Sequence, residues 1–189
     1  MKKTMLLGTL AAVLATTHAL ASPLPLQAST ITASYNGTSA MLGADHAFQA
    51  DAGSQTSALD ATPDGLEFLS GDYLFGFDFA ENGQLTVYAN DVIPVGAYQF
   101  TFDFGATLAA PLAAFTLLDG AAVGGLPGLS VLDGHTIGLD LSSLTWNAPF
   151  AAFTTQLSLA APASVPEPGP VTLLLVALAA LAFTHRRQR

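Results

Sequence analysis

Two histidines, His46 and His135, and the carboxylates beside them are the residues of this 189-residue chain best suited to chemistry. Asp45 adjoins His46 and Asp133 lies two positions before His135, so either pair can pass a proton or offer two ligands to a metal ion. Neither pair sits in a spacing that completes a site. No G-x-S-x-G surrounds a serine, and neither H-E-x-x-H nor the D-x-D-x-D-G calcium loop occurs. Both pairs therefore read as surface-loop residues. No catalytic residue, metal ligand or cofactor is assigned, and the chain is expected not to be an enzyme.

A second acid pair comes from two similar runs, Tyr73-Leu74-Phe75-Gly76-Phe77-Asp78-Phe79 and Tyr98-Gln99-Phe100-Thr101-Phe102-Asp103-Phe104. At the period of two that a strand imposes, each run places four aromatics on one face and its aspartate on the other. If the two strands are neighbours, Asp78 and Asp103 approach each other, which raises a pKa or makes a Ca²⁺ site. The favoured reading leaves both as solvated outer-face residues. The aromatic faces are expected to pack the core rather than to form a platform for carbohydrate.

Strands must position these residues, and their registers can be argued from burial. A two-residue Asn82-Gly83 turn would pair Phe79 with Thr86, mixing an inner with an outer residue. A three-residue loop, Glu81-Asn82-Gly83, pairs Phe79 with Leu85, Phe77 with Val87 and Phe75 with Ala89, and leaves Gly83 for a left-handed bulge position. The same reasoning puts Asp133-Gly134-His135 in a loop that pairs Val131 with Ile137 and Leu129 with Leu139. Further strands are expected at Ile31 to Tyr35, Leu66 to Leu69, Leu112 to Leu117, Leu144 to Trp146 and Phe150 to Leu159. Asn36-Gly37-Thr38 matches a glycosylation sequon but reads better as a turn. About nine short antiparallel strands make an all-β antiparallel β-sandwich, jelly-roll-like in its finer winding, over residues 29–159. Proline-bearing linkers flank it at 22–28 and 160–164, and Trp146 is a core or sheet-edge anchor.

Charge is distributed unevenly. The only Lys and Arg residues are Lys2, Lys3, Arg186, Arg187 and Arg189, while thirteen Asp and Glu residues lie between Asp45 and Asp140. Phosphate neutralisation needs cations, so nucleic acid is excluded as a partner. Ion pairs within the domain are restricted to those made by His46 and His135. With no cysteine, disulfides and thiolate sites are excluded as well.

The cations sit where membrane topology uses them. Lys2 and Lys3, an apolar run from Met5 to Ala15, and Ala19-Leu20-Ala21 before Ser22 form a secretory signal, residues 1–21, with cleavage expected after Ala21. Export through the Sec translocon and processing by signal peptidase follow. At the other end, residues 165–189 hold Val165-Pro166-Glu167-Pro168-Gly169, an apolar run from Val171 to Phe183, and His185-Arg186-Arg187-Gln188-Arg189. The prolines keep the backbone extended, the apolar run is a short transmembrane helix, and Arg186, Arg187 and Arg189 stop transfer by staying cytoplasmic.

This tail resembles the PEP-CTERM sorting signal of exported bacterial proteins, in which a Pro-Glu-Pro triplet precedes a short transmembrane helix and an arginine-rich end. The resemblance implies that an exosortase, an integral-membrane cysteine transpeptidase, recognises Val165, Pro166, Glu167 and Pro168 and cuts there. The expected location is the inner membrane transiently, through the C-terminal helix, and then the cell surface or extracellular matrix. The resemblance also implies an association with exopolysaccharide, to which divalent ions could bridge the acidic domain. Two other functions are compatible with the residues. A carbohydrate-binding module would use exposed aromatics, with Tyr35, Tyr88 and Trp146 as candidates. A secreted hydrolase would use two carboxylates at catalytic separation.

Overall fold

The computed structural model of the protein describes residues 26, 29–59, 65–108 and 110–160. The signal peptide with Ala19 and Ala21, the sorting motif Val165 to Pro168, the apolar run and the three terminal arginines all lie outside the described residues. Thirteen strands are present among those described: β1 (Thr30–Tyr35), β2 (Met41–Gly43), β3 (Thr56–Ala58), β4 (Phe68–Ser70), β5 (Phe75–Phe79), β6 (Gln84–Ala89), β7 (Gln99–Asp103), β8 (Leu112–Asp119), β9 (Val123–Gly124), β10 (Gly128–Val131), β11 (Thr136–Asp140), β12 (Thr145–Trp146) and β13 (Ala152–Leu159). They form a five-stranded sheet in the order β10-β11-β7-β1-β3 and a six-stranded sheet in the order β2-β4-β5-β6-β13-β8, with β12 and β9 as a small separate pair. Every pairing is antiparallel, and the two large sheets pack face to face as a β-sandwich.

Both hairpin registers read from alternation are the observed ones. Phe75, Phe77 and Phe79 pair with Ala89, Val87 and Leu85, and Gly83 takes the left-handed conformation at φ 82°. Leu129 pairs with Leu139 and Val131 with Ile137. At Asn36-Gly37 both central residues have positive φ, 48° and 71°, and Tyr35 bridges Thr38, as in a type I′ hairpin turn.

The core is an interleaved column of rings. Phe75, Phe77 and Phe79 of β5 and Phe100, Phe102 and Phe104 at β7 are fully buried. Across the sandwich their order is Phe75, Phe100, Phe77, Phe102, Phe79, Phe104, with successive centroids 5.5, 4.7, 5.0, 5.1 and 5.7 Å apart. The edge-on and tilted geometries set the positive rim of one ring against the face of the next. Each of the four inner rings, Phe100, Phe77, Phe102 and Phe79, thus fits between two phenylalanines of the other sheet.

This interleaving settles the relation of the two aromatic strands, which face each other from opposite sheets and are not neighbours in one. Asp78 and Asp103 consequently project from opposite outer faces, with the whole sandwich between them. The shared acid or Ca²⁺ site considered above is not formed. Three further expectations need correction. Tyr73 is not part of the aromatic face: the chain turns before β5, Tyr73 has φ 61°, and its side chain is 55% exposed. Leu26, in the expected linker, is buried in the core, and its N–H donates to the Glu81 carbonyl at 2.9 Å. The final strand begins at Ala152, which leaves Phe150 in the preceding loop.

Candidate functional site

His135 lies at the tip of the β10–β11 hairpin, where Asp133 Oδ1 accepts its backbone N–H at 2.9 Å. The partner that alternation could not show is Asp103, which stands across the β7–β11 pairing opposite Thr136. Its Oδ1 is 2.7 Å from His135 Nδ1, and Asp133 Oδ1 is 3.4 Å from the same nitrogen. The hydrogen bond to Asp103 raises the His135 pKa above the usual imidazole value, with the two negative charges adding to it. The backbone N–H of His135 lowers that of Asp133. Thr136 Oγ1 is 3.2 Å from Nδ1 too. A proton relay needs the acid on one ring nitrogen and the nucleophile on the other. Here acid and hydroxyl gather on Nδ1, so the arrangement fastens a hairpin to a strand and does not activate the hydroxyl.

His46 pairs with Asp51 at 2.7 Å rather than with adjacent Asp45, whose Oδ2 instead accepts the Ala58 N–H at 2.8 Å. Among the described residues all ion pairs run through His46 or His135, as the charge distribution predicts. Several aspartates, including the two paired with His135, also turn to the backbone. Asp72, Asp103, Asp119, Asp133 and Asp140 each accept the N–H of the residue two positions on, the Asx-turn bond that ends a strand and redirects the chain. Among the described residues no cluster of three His, Asp or Glu is suited to a metal ion.

Glu67 is a buried acid whose role the sequence reading missed. It is fully inaccessible, and its Oε2 accepts the Phe79 N–H at 2.6 Å. A lone charged residue inside an apolar run, Leu66-Glu67-Phe68-Leu69, is the signal that could have marked it.

Of the candidate aromatics, Tyr35 stacks on Phe100 at 4.7 Å with planes 5° apart, and its hydroxyl donates to Asp72 Oδ2 at 2.7 Å. Burial and the Asp72 carboxylate push its pKa up. Trp146 packs on Phe75 and Phe153, and its buried Nε1 has no hydrogen-bond partner. Both rings serve the core. Tyr88 is different: it lies on the outer face of the six-stranded sheet and lines a shallow recess of about 240 Å³ with Leu66, Asp78, Asn90 and Phe150. Among the described residues that line it, Asp78 is the single carboxylate. Phe150, 75% exposed, was not among the candidates because alternation assigned it to the last strand. Comparison with protein-family profiles, with curated proteins and with solved structures finds no match to this chain.

Proposed function

We propose that the chain is an exported, non-enzymatic cell-surface or extracellular-matrix protein, sorted by its PEP-CTERM-like tail through an exosortase and associated with exopolysaccharide. The observation that carries this reading is the placement of charge. All five Lys and Arg residues fall in the two terminal segments, where a signal peptide and a stop-transfer tail need them, and none falls in the domain between. Part of the same proposal are the jelly-roll-like winding of the sandwich, the signal helix before it and the short membrane helix after it.

A domain of this kind is well suited to life outside the cell. It draws its stability from a dry aromatic core and needs no disulfide, and its acids, tied into turns, keep the surface anionic and soluble. Mass spectrometry of the mature protein from its native host tests the proposal. Termini at Ser22 and near Pro166 are expected. A mature form that keeps Arg189 would show a plain tail anchor, and one that begins at Met1 would refute export by the signal.

A further inference from the structure

Seven large apolar side chains are exposed among the described residues, and four of them, Tyr73, Val92, Val95 and Phe150, belong to one end of the sandwich. Backbone bonds tie the loops there to one another. Asn90 N–H donates to the Leu74 carbonyl at 2.8 Å and Ala89 N–H to the Ala151 carbonyl at 2.9 Å. Tyr73 and Phe150 both hold left-handed backbone, at φ 61° and 60°. Bulky residues rarely adopt that conformation, and where a fold imposes it the cause is often a binding site. Here it turns two aromatic rings outward.

The recess opens beside Phe150. Its walls combine two rings, Phe150 and Tyr88, with the Asn90 amide and the Asp78 carboxylate. That lining selects the occupant. An anionic ligand meets a carboxylate and no Lys or Arg, since none occurs between Lys3 and Arg186. A wholly apolar partner would cover the Asn90 amide and the Asp78 carboxylate and offer a hydrogen bond to neither. A sugar ring suits both halves, because its C–H face lies on an aromatic ring and its hydroxyls meet amide and carboxylate. The volume is below the roughly 300–1,000 Å³ of pockets that enclose a free small molecule, which favours one unit of a longer chain.

We propose that this recess binds one unit of a neutral polysaccharide, with Phe150 stacking on the sugar face and Asn90 meeting its hydroxyls beside Asp78. The proposal rests on the reading of the chain as an exported surface protein, which sets it among extracellular glycans, and it names the ligand class that the surface reading leaves open.

The test is isothermal titration of the purified full chain with neutral hexasaccharides of glucose, galactose and N-acetylglucosamine, with alginate oligosaccharides as the anionic probe. At least one neutral probe should bind. Phe150→Ala should weaken it about tenfold or more while leaving the melting temperature within about 2 °C, and Phe150→Trp should retain it. The proposal is overturned if no neutral probe binds, if alginate binds more tightly, or if F150A leaves affinity unchanged. It is also overturned if F150A abolishes self-association in analytical ultracentrifugation, since a second copy would then be the occupant. None of these results depends on the termini of the mature protein, so a failure of glycan binding and a failure of export are read separately.

Discussion

Phe102 is the residue on which the interleaved core depends most, and replacing it measures whether the two sheets mesh as described. Its ring is fully buried and meets Phe68 at 6.0 Å, Phe77 at 5.0 Å and Phe79 at 5.1 Å. Truncating a buried phenylalanine to alanine costs about 3–5 kcal/mol through lost transfer energy and the cavity left behind. Leucine keeps much of the volume but loses three ring pairs, each worth about 0.5–1.5 kcal/mol and not fully additive, so Phe102→Leu should cost about 2 kcal/mol. At about 4 °C per kcal/mol for a domain of this size, F102A should lower the melting temperature by about 16 °C and F102L by about 8 °C. Far-UV circular dichroism and the fluorescence of Trp146, the sole tryptophan, both follow the transition. Double-mutant cycles sharpen the test. Phe77 and Phe102 should couple by about 0.5–1.5 kcal/mol, whereas Phe75 and Phe102, separated in the column by two rings, should couple by less than about 0.5 kcal/mol. Coupling larger for Phe75 than for Phe77, or an F102A transition close to that of wild type, would refute the interleaved register.

The raised pKa of His135 means that its protonated form is favoured by folding, so its contribution is complete below the unfolded value of 6.5 and is lost as pH rises through the higher folded value. The melting temperature should therefore fall from pH 6 towards pH 8, and Asp103→Asn should flatten that fall; an unchanged slope in D103N counts against the Asp103 bond as its cause. The phenol of Tyr35, held neutral by burial and Asp72, should make stability drop above pH 10, and Tyr35→Phe should make the drop shallower in alkaline melts. Gly83→Ala forces a Cβ into left-handed backbone at the β5–β6 loop and should cost about 1–2 kcal/mol in denaturant titrations. Glu67→Ala strands the buried Phe79 N–H and should cost about 1–3 kcal/mol, a loss that an unaltered unfolding midpoint would disprove.

Local pairing was legible in the sequence and long-range pairing was not. The β5–β6 and β10–β11 hairpins were readable because alternation around a short glycine-bearing loop leaves one register that keeps every apolar residue inside. The pairing of β1 with β7, which sets Ser34 against Thr101, carries no comparable signal. Nor did similarity between the two aromatic runs reveal their relation: strands side by side and strands face to face present the same alternation. The short strands β2, β3 and β9 were missed because two or three residues show no period, and they exist only through the edges they extend. Tyr73 and Phe150 were assigned to strands by their spacing, but left-handed backbone at each breaks the period. For the recess, Tyr88 was readable as a candidate, while Asp78 and Asn90 beside it follow from the β5–β6 pairing and Phe150 from a loop that pattern cannot place.

The same physics explains how a domain with thirteen acids and no Lys or Arg holds together. Carboxylates that lack a permanent cation must be satisfied by histidine, by backbone N–H groups or by water. The fold uses both histidines, at Asp51 and Asp103, and then spends aspartates at strand ends, where a free N–H two residues on waits for an acceptor. Five of the eleven acids among the described residues are thus turn-forming residues first, and the number of acids is weak evidence for calcium or for catalysis. Asp78 stands apart from this pattern of Asx turns. It projects from the middle of a sheet face, paired across the ladder with Thr86, and it lines a recess that also holds two aromatic rings. A carboxylate so placed contributes nothing to ending a strand, which makes its neighbourhood, rather than the histidine clusters, the part of the surface where a ligand should be sought.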